Sequence, residues 1–116
     1  MHDFRRLEVW RRSVALFAAA DPVLRKFPRT DRGVIGAQLR RALISIPANI
    51  AEGCGRHSRT ETIRFLRIAS GSATEAESHL EVASALGYLT APQRETLLGD
   101  VKAVQRMLFR LIQNFP

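Results

Sequence analysis

Arginine is the residue type in this sequence whose abundance and spacing point to chemistry. Of the 18 basic side chains 16 are arginines, and the formal net charge is +7. The imbalance is local, because residues 1–67 hold 14 basic and 6 acidic side chains whereas residues 68–116 hold 4 and 5. The planar guanidinium group matches phosphate bidentately, so this excess predicts a polyanionic partner, RNA or DNA, although positive charge can also serve solubility alone.

Six arginines are the candidate phosphate contacts: Arg40, Arg41, Arg56, Arg59, Arg64 and Arg67. The last four surround a predicted helix start, where free backbone N–H groups and the helix dipole also favour an anion. The alternative is that these arginines are solvated or pair with acidic side chains such as Glu52. Arg41 has its own alternative, an ion pair with Glu75, which would leave Arg40 as the freer phosphate contact. Arg106 and Arg110 continue a basic line from Lys102, for which an ordinary exposed face is the favoured interpretation.

The sequence offers little for catalysis. Glu75 and His79 share a helix face, but the Glu-x-x-His pairs of di-iron bundles, a nucleophile paired with a base, and a phosphate-cradling glycine loop are all absent. The single cysteine, Cys54, has no partner for an intrachain disulfide. The aromatic residues mostly hold core or turn positions, so a platform for stacking bases is not expected. We therefore expect a cytoplasmic protein with no enzymatic activity, cofactor or metal.

Four segments with helical periodicity must position the arginines. The composition, 46% hydrophobic and 25% charged, is typical of a globular protein, and the longest apolar stretch, 14–20, is far below the ~18 residues that span a membrane. Connections of about four residues make consecutive helices antiparallel. The sequence therefore predicts one all-α domain over residues 1–116, an antiparallel up-down-up-down four-helix bundle. The predicted bounds are Phe4 to Lys26, Thr30 or Asp31 to Gly53, Ser58 to Gly87, and Thr90 to Phe115.

A second group of residues is predicted to have structural tasks. Ser58 and Glu61 have the spacing of a capping box. Pro47 removes a backbone donor inside the second helix, where Asn49 is placed to bond a freed carbonyl or to reach a neighbouring subunit. Gly71 costs a helix about 1 kcal/mol relative to alanine, which indicates a close helix crossing. The last members of the group, as candidate ion-pair partners, are Glu52 and Glu75.

The central part of the chain resembles a known family. The matching residues are Ser45-Ile46-Pro47-Ala48-Asn49-Ile50-Ala51-Glu52-Gly53, then Arg56, Ser58, Glu61, Phe65-Leu66, Gly71-Ser72 and Glu75. They are similar to the small four-helix-bundle proteins encoded in intervening sequences of bacterial large-subunit ribosomal RNA genes, and the similarity covers nearly the whole chain. The chain departs from the family pattern at Asp31-Arg32-Gly33-Val34, where an acidic residue followed by an aromatic is common.

This resemblance implies a homopentamer of bundles, no demonstrated enzymatic activity and a suspected role in binding nucleic acid. A related branch, the accessory variability proteins of diversity-generating retroelements, works beside a reverse transcriptase. The first hypothesis is therefore an oligomeric, non-enzymatic protein that binds RNA or DNA through an arginine-rich surface. The alternative is an assembly or scaffold protein that docks a protein partner such as a reverse transcriptase. Additional apolar positions, among them Val9, Leu16 and Leu98, favour burial against other copies of the chain.

Overall fold

The computed structural model describes residues 3–116, apart from the side chains of Asp31 and Arg32. The proposed helix cap at Asp31 therefore lies outside the described side chains. A short 3-10 turn, Phe4–Arg6, leads into the first long helix, and the described residues contain no strand. The four long helices are α1 (Glu8–Leu24), α2 (Ala37–Cys54), α3 (Arg59–Ala85) and α4 (Ala91–Gln113).

Contacts along the helix pairs show how the helices are arranged. Gly53 near the end of α2 lies beside Thr62 near the start of α3, whereas Ser45 in the middle of α2 lies beside Ser72. The two helices therefore run in opposite directions. Helix α1 contacts α2 and α4, and α4 contacts α3, which closes a bundle of 43 × 23 × 19 Å. The predicted all-α four-helix bundle is confirmed.

The core is built from the apolar stripes of all four helices. Leu16, Ile46, Leu66 and Leu108 are among its fully buried side chains. Val9 and Leu98 also lie in this core and have 4% and 6% exposure, so the prediction that these extra apolar positions face other copies was wrong. A helix in a four-helix bundle packs against two neighbours at once, which requires an apolar stripe wider than a single seam.

The entry into α2 is more irregular than the periodicity predicts. The chain forms one helical turn at Arg29–Asp31 and a π-helical segment at Arg32–Gly36 before α2 begins. Gly33 and Gly36 lie in this segment. Because glycine is a weak helix former, little helix propensity is lost when the segment adopts the wider turns of a π-helix. The irregular segment coincides with the positions at which the chain departs from the family pattern.

The helix starts match the capping signals to different degrees. At α4, Thr90 and Gln93 form a complete capping box: Thr90 Oγ1 accepts from the Gln93 backbone N–H at 3.2 Å, and the Gln93 side chain accepts from the Thr90 N–H at 2.9 Å. At α3, Ser58 Oγ accepts from the Glu61 N–H at 3.1 Å. The Glu61 carboxylate, however, binds Arg64 one turn further on, so only half of the predicted box forms there.

The end of α3 is a Schellman motif, as the position of Gly87 predicts. Gly87 has a φ of 78°, the Tyr88 N–H donates to the Ala83 carbonyl at 2.9 Å, and the Gly87 N–H donates to the Ser84 carbonyl at 3.0 Å. Two of the carbonyls left free at the helix end are satisfied in this way. The left-handed conformation makes glycine the best residue at this position.

Alanine substitutions at two glycines should shift stability in opposite directions. Gly87→Ala should lower the free energy of unfolding by about 1–2 kcal/mol, the cost of a left-handed conformation for an L-residue. Gly71→Ala should raise it by about 0.5–1 kcal/mol, because Gly71 lies in mid-helix and a Cβ there meets no atom within 4 Å. Urea unfolding followed by circular dichroism measures both changes. A Gly87→Ala variant as stable as the parent chain would contradict this account.

Candidate nucleic-acid interface

Two of the predicted arginines enclose an aromatic ring at the end of the bundle where α2 joins α3. The guanidinium carbons of Arg56 and Arg64 lie 4.8 and 4.5 Å from the centroid of the Phe65 ring. Each arginine also pairs with a carboxylate that is close in sequence, Arg56 with Glu52 at 2.5 Å and Arg64 with Glu61 at 3.1 Å. These pairs are solvent-exposed and contribute little to stability, so a phosphate group can compete for the guanidinium groups.

The other two arginines of this group have different surroundings. Arg59 reaches the end of the described chain, where its Nε donates to the Pro116 carbonyl at 2.9 Å and its Nη2 to the Phe115 carbonyl at 3.4 Å. Arg67 is exposed and has neither an ion pair nor a hydrogen bond with the described residues. Arg67 is therefore the freest member of the group at this end.

Arg40 and Arg41 form a separate group on α2. Arg40 binds Asp21 of α1, and its guanidinium carbon lies 5.1 Å from the centroid of the Phe17 ring. Arg41 is exposed and has no partner in the described part of the chain. The alternative with an Arg41–Glu75 ion pair is wrong, because Glu75 binds His79 Nε2 at 3.2 Å instead. Arg41, not Arg40, is the freer of the two.

The six predicted arginines do not gather into one patch within a single chain. Arg41 lies about 20 Å along α2 from Cys54, where the other group begins, given a rise of about 1.5 Å per residue. Three of the six, Arg40, Arg56 and Arg64, have carboxylate partners. The surface most free to bind phosphate therefore differs from the one that the sequence predicts.

The outer face of α4 carries a basic cluster that the sequence analysis treated as an ordinary exposed face. Arg106 and Arg110 line a groove together with Arg12 of α1, and none of the three guanidinium groups has an ion pair or hydrogen bond with a described residue. Phe109 lies between them on α4 and is 61% exposed. The expectation that no aromatic platform is exposed was wrong. The available signal was the apolar spacing of α4, which Phe109 does not fit and which runs through Leu97, Val101, Val104, Leu108 and Leu111.

A polar network joins the middle of α2 to α3. The Asn49 side-chain amide donates to the Ser45 carbonyl at 2.8 Å and to Ser45 Oγ at 2.9 Å, and Ser45 Oγ lies 2.9 Å from Ser72 Oγ. Asn49 therefore donates to the Ser45 carbonyl, two residues before Pro47. It does not bond the Leu43 carbonyl, which lacks its usual helical donor because proline has no N–H.

The close helix crossing lies at Gly53 and not at Gly71, where the sequence analysis expected it. A Cβ at Gly53 would lie 3.1 Å from Phe65 Cβ and 3.2 Å from the Thr62 carbonyl oxygen. Gly71 is exposed, and its surroundings leave open space. The helix-propensity cost at Gly71 has no packing explanation within one described chain.

Acid should weaken the Asp21 contacts between α1 and α2. The hydrogen bond from Arg40 is the main reason that the pKa of Asp21 lies below its ordinary value of 3.8, and Arg25 adds to the effect. A lowered folded-state pKa stabilises the fold above the unfolded-state pKa, and this stability is lost as the pH falls through the folded-state value. We expect the free energy of unfolding to decline below about pH 4, and Asp21→Asn to flatten that decline. Urea titrations at several pH values test this. A decline in the free energy of unfolding that is equally steep in Asp21→Asn and in the parent chain would contradict it.

Other chemical features of the described residues are sparse. Burial raises the pKa of the Cys54 thiol, which disfavours the reactive thiolate. Among the side chains that the structure describes, no group of three or more His, Cys, Asp or Glu residues is arranged to hold a metal ion. No helix over residues 3–116 is long and apolar enough to cross a membrane.

An all-α bundle with an arginine-rich exterior is the class of protein that this fold and surface define. The profile of the 23S rRNA-intervening sequence protein family matches residues 5–110, and the chain belongs to that family. The predicted family resemblance is thereby confirmed. A crystal structure of a protein of unknown function from the S23 ribosomal protein family of Bacteroides thetaiotaomicron is 27% identical, with a TM-score of 0.85, and the alignment covers 91% of this chain and 96% of that one. No curated protein matches the sequence.

Proposed function

We propose that this protein binds RNA or DNA through the phosphate backbone, as a homo-oligomer and without catalysing a reaction. The observation that carries the proposal is a set of exposed arginines whose guanidinium groups have no ion pair or hydrogen bond to any described residue. A guanidinium group without a carboxylate partner keeps its full capacity for bidentate phosphate contacts. This set includes Arg12, Arg41, Arg67, Arg106 and Arg110.

The pairing pattern ranks the arginines as phosphate contacts. Arg41 and Arg67 are the strongest of the six predicted from the sequence, because no described carboxylate competes for them. Arg56 and Arg64 are weaker, since a phosphate must displace Glu52 or Glu61. Arg40 is the weakest, because it joins two helices through Asp21.

Oligomerisation is supported by the apolar side chains left uncovered on the bundle. Ile44 on α2 is 46% exposed, Ile68 and Val82 on α3 are 40% and 41% exposed, and Leu86, directly after α3, is 51% exposed. Several exposed large apolar residues on adjacent helices favour a protein contact. We propose a homo-oligomer, with the pentamer that the family resemblance implies as the favoured state. Light scattering that reports a 13.0 kDa particle would contradict this part of the proposal.

Fluorescence anisotropy at several salt concentrations tests nucleic-acid binding directly. Labelled RNA and DNA strands of one sequence should bind. The logarithm of the association constant should fall linearly with the logarithm of the salt concentration, because phosphate contacts release counterions. Arg41→Gln and Arg67→Gln should each make the slope shallower by about 0.7–0.9. Arg40→Gln is the matched control, expected to leave the slope nearly unchanged. Absence of binding to either nucleic acid at about 50 mM salt would overturn the proposal.

A protein partner is the second candidate, favoured by the same exposed apolar side chains. In that case a pull-down from the native cell should recover a partner protein that survives nuclease treatment. We also propose a cytoplasmic location, in keeping with a single cysteine, Cys54, that is buried and free.

A further inference from the structure

Phe109 is the most exposed large apolar side chain among the described residues. It is 61% exposed on the outer face of α4, one residue before Arg110 and three residues after Arg106. Burying an aromatic side chain is strongly favourable. Its exposure therefore leaves a large apolar surface available for contact with a ligand.

No arginine or aromatic ring of the described chain packs against the ring of Phe109. Phe4, Phe17 and Phe65 each have an arginine of the same chain over the ring, at 4.5 to 5.1 Å from the centroid. No described guanidinium lies over the ring of Phe109, although two arginines are close in sequence. A ring with a free face, flanked by unpaired cations, is the arrangement on which single-strand binders stack bases.

The groove beside Phe109 has the charge that such a ligand requires. It lies between α3 and α4, contains no carboxylate, and is lined by Ser70, Thr74, Gln105, Arg106, Phe109 and Arg110. Glu77 of α3, which contacts the lining residue Gln105, accepts a hydrogen bond from Gln105 at 2.9 Å and pairs with Lys102 at 3.4 Å. Glu8 lines only the neighbouring groove on the α1 side, which Arg106 and Arg110 also border.

We propose that the groove between α3 and α4 binds single-stranded nucleic acid, with one base stacked on Phe109 and the adjacent phosphates held by Arg106 and Arg110. This inference rests on the proposed function and adds a preference for single strands over duplex. Bases in a duplex are already stacked on their neighbours, whereas an unpaired base is free to stack on a protein ring. The two arginines are separated by about 6 Å along the helix, so both face the same strand.

Phe109→Ala tests the stacking contact. The variant should bind a labelled single strand about 5- to 150-fold more weakly than the parent chain. Its affinity for a duplex of the same sequence and its salt slope should not change, because the substitution removes no charge. Arg106→Gln and Arg110→Gln should instead each make the salt slope shallower by about 0.7 on single strands. Val34→Ala, which truncates another exposed apolar side chain (58% exposed), is the matched control with unchanged affinity.

The outcomes separate this inference from the proposed function. If the parent chain binds neither nucleic acid, the proposed function fails and the inference fails with it. If the parent chain binds but Phe109→Ala holds single strands equally well, the inference is overturned and the proposed function stands. If Phe109→Ala dissociates the oligomer in light scattering and loses single strands and duplex equally, Phe109 belongs to a contact between copies, which also overturns the inference. Phe109→Leu keeps an apolar side chain but removes the ring. It should also bind single strands more weakly, and this result would separate the loss of stacking from an effect on folding.

Discussion

Replacing Ile46 with alanine is expected to lower the free energy of unfolding by about 2–5 kcal/mol. Ile46 is fully buried at the centre of α2. The substitution removes buried methyl and methylene groups and leaves a cavity that the neighbouring side chains fill only in part, so both lost burial and lost contacts contribute. Urea unfolding monitored by circular dichroism gives the change.

Ile44→Ala is the matched control, since it makes the same substitution two residues earlier on the same helix. Ile44 is 46% exposed, and we expect the free energy of unfolding to change by no more than about 0.5 kcal/mol. Equal losses in the two variants would contradict the orientation of α2 in the bundle. Dissociation of an oligomer by Ile44→Ala alone would locate a contact between copies on the outer face of α2.

Gly53→Val is expected to lower the free energy of unfolding by about 1–3 kcal/mol, or by more if α3 is displaced. The Cβ alone would meet Phe65 and the backbone of Thr62 at 3.1 and 3.2 Å. The two further methyl groups of valine would force α2 and α3 apart. That movement would also break the buried hydrogen bond that Thr62 Oγ1 donates to the Gly53 carbonyl at 3.0 Å, which leaves two polar groups unsatisfied.

Gly53→Ala separates the steric effect from helix propensity. Alanine gains up to about 1 kcal/mol of propensity over glycine within a helix, and this gain opposes the tight Cβ contact. A small net change is therefore expected for alanine and a large loss for valine, both measured by thermal and urea unfolding. A valine variant with the stability of the alanine variant would show that the two helices are not held together at this crossing.

The fold could be predicted because its signals are local. The capping box at Thr90 and the left-handed stop at Gly87 depend on residues within one turn of each other. The apolar stripes of α2, α3 and α4 also follow from their own sequences. The start of α2 was less predictable, because the irregular turns at Arg32–Gly36 follow from the weak helix preference of two glycines and not from any apolar spacing.

The candidate site could be predicted only in part, since it depends on how each helix is rotated about its axis. The partner of Arg40 is Asp21, which lies 19 residues away on another helix. Periodicity places Asp21 at a polar break in the apolar stripe of α1 and Arg40 outside the stripe of α2, but it does not show that the two side chains meet. The arginine excess was therefore visible in the sequence, whereas the ion pairs that neutralise part of it were not. The exposure of Phe109 also depends on this rotation, because the neighbouring pair Leu97 and Leu98 is buried at both positions whereas Leu108 is buried and Phe109 is exposed.

The hydroxyl pair between Ser45 and Ser72 has a consequence for the alignment of α2 and α3. The buried face of α3 is formed largely by small side chains, among them Ala69, Ala73 and Ala76. Such a smooth face offers little resistance to sliding by one helical turn, about 5.4 Å. A slip of that size would separate the two serines and leave polar groups without partners in a mostly apolar seam. The serine pair, held by Asn49, thus selects a single register for two helices whose alanines alone would accept several.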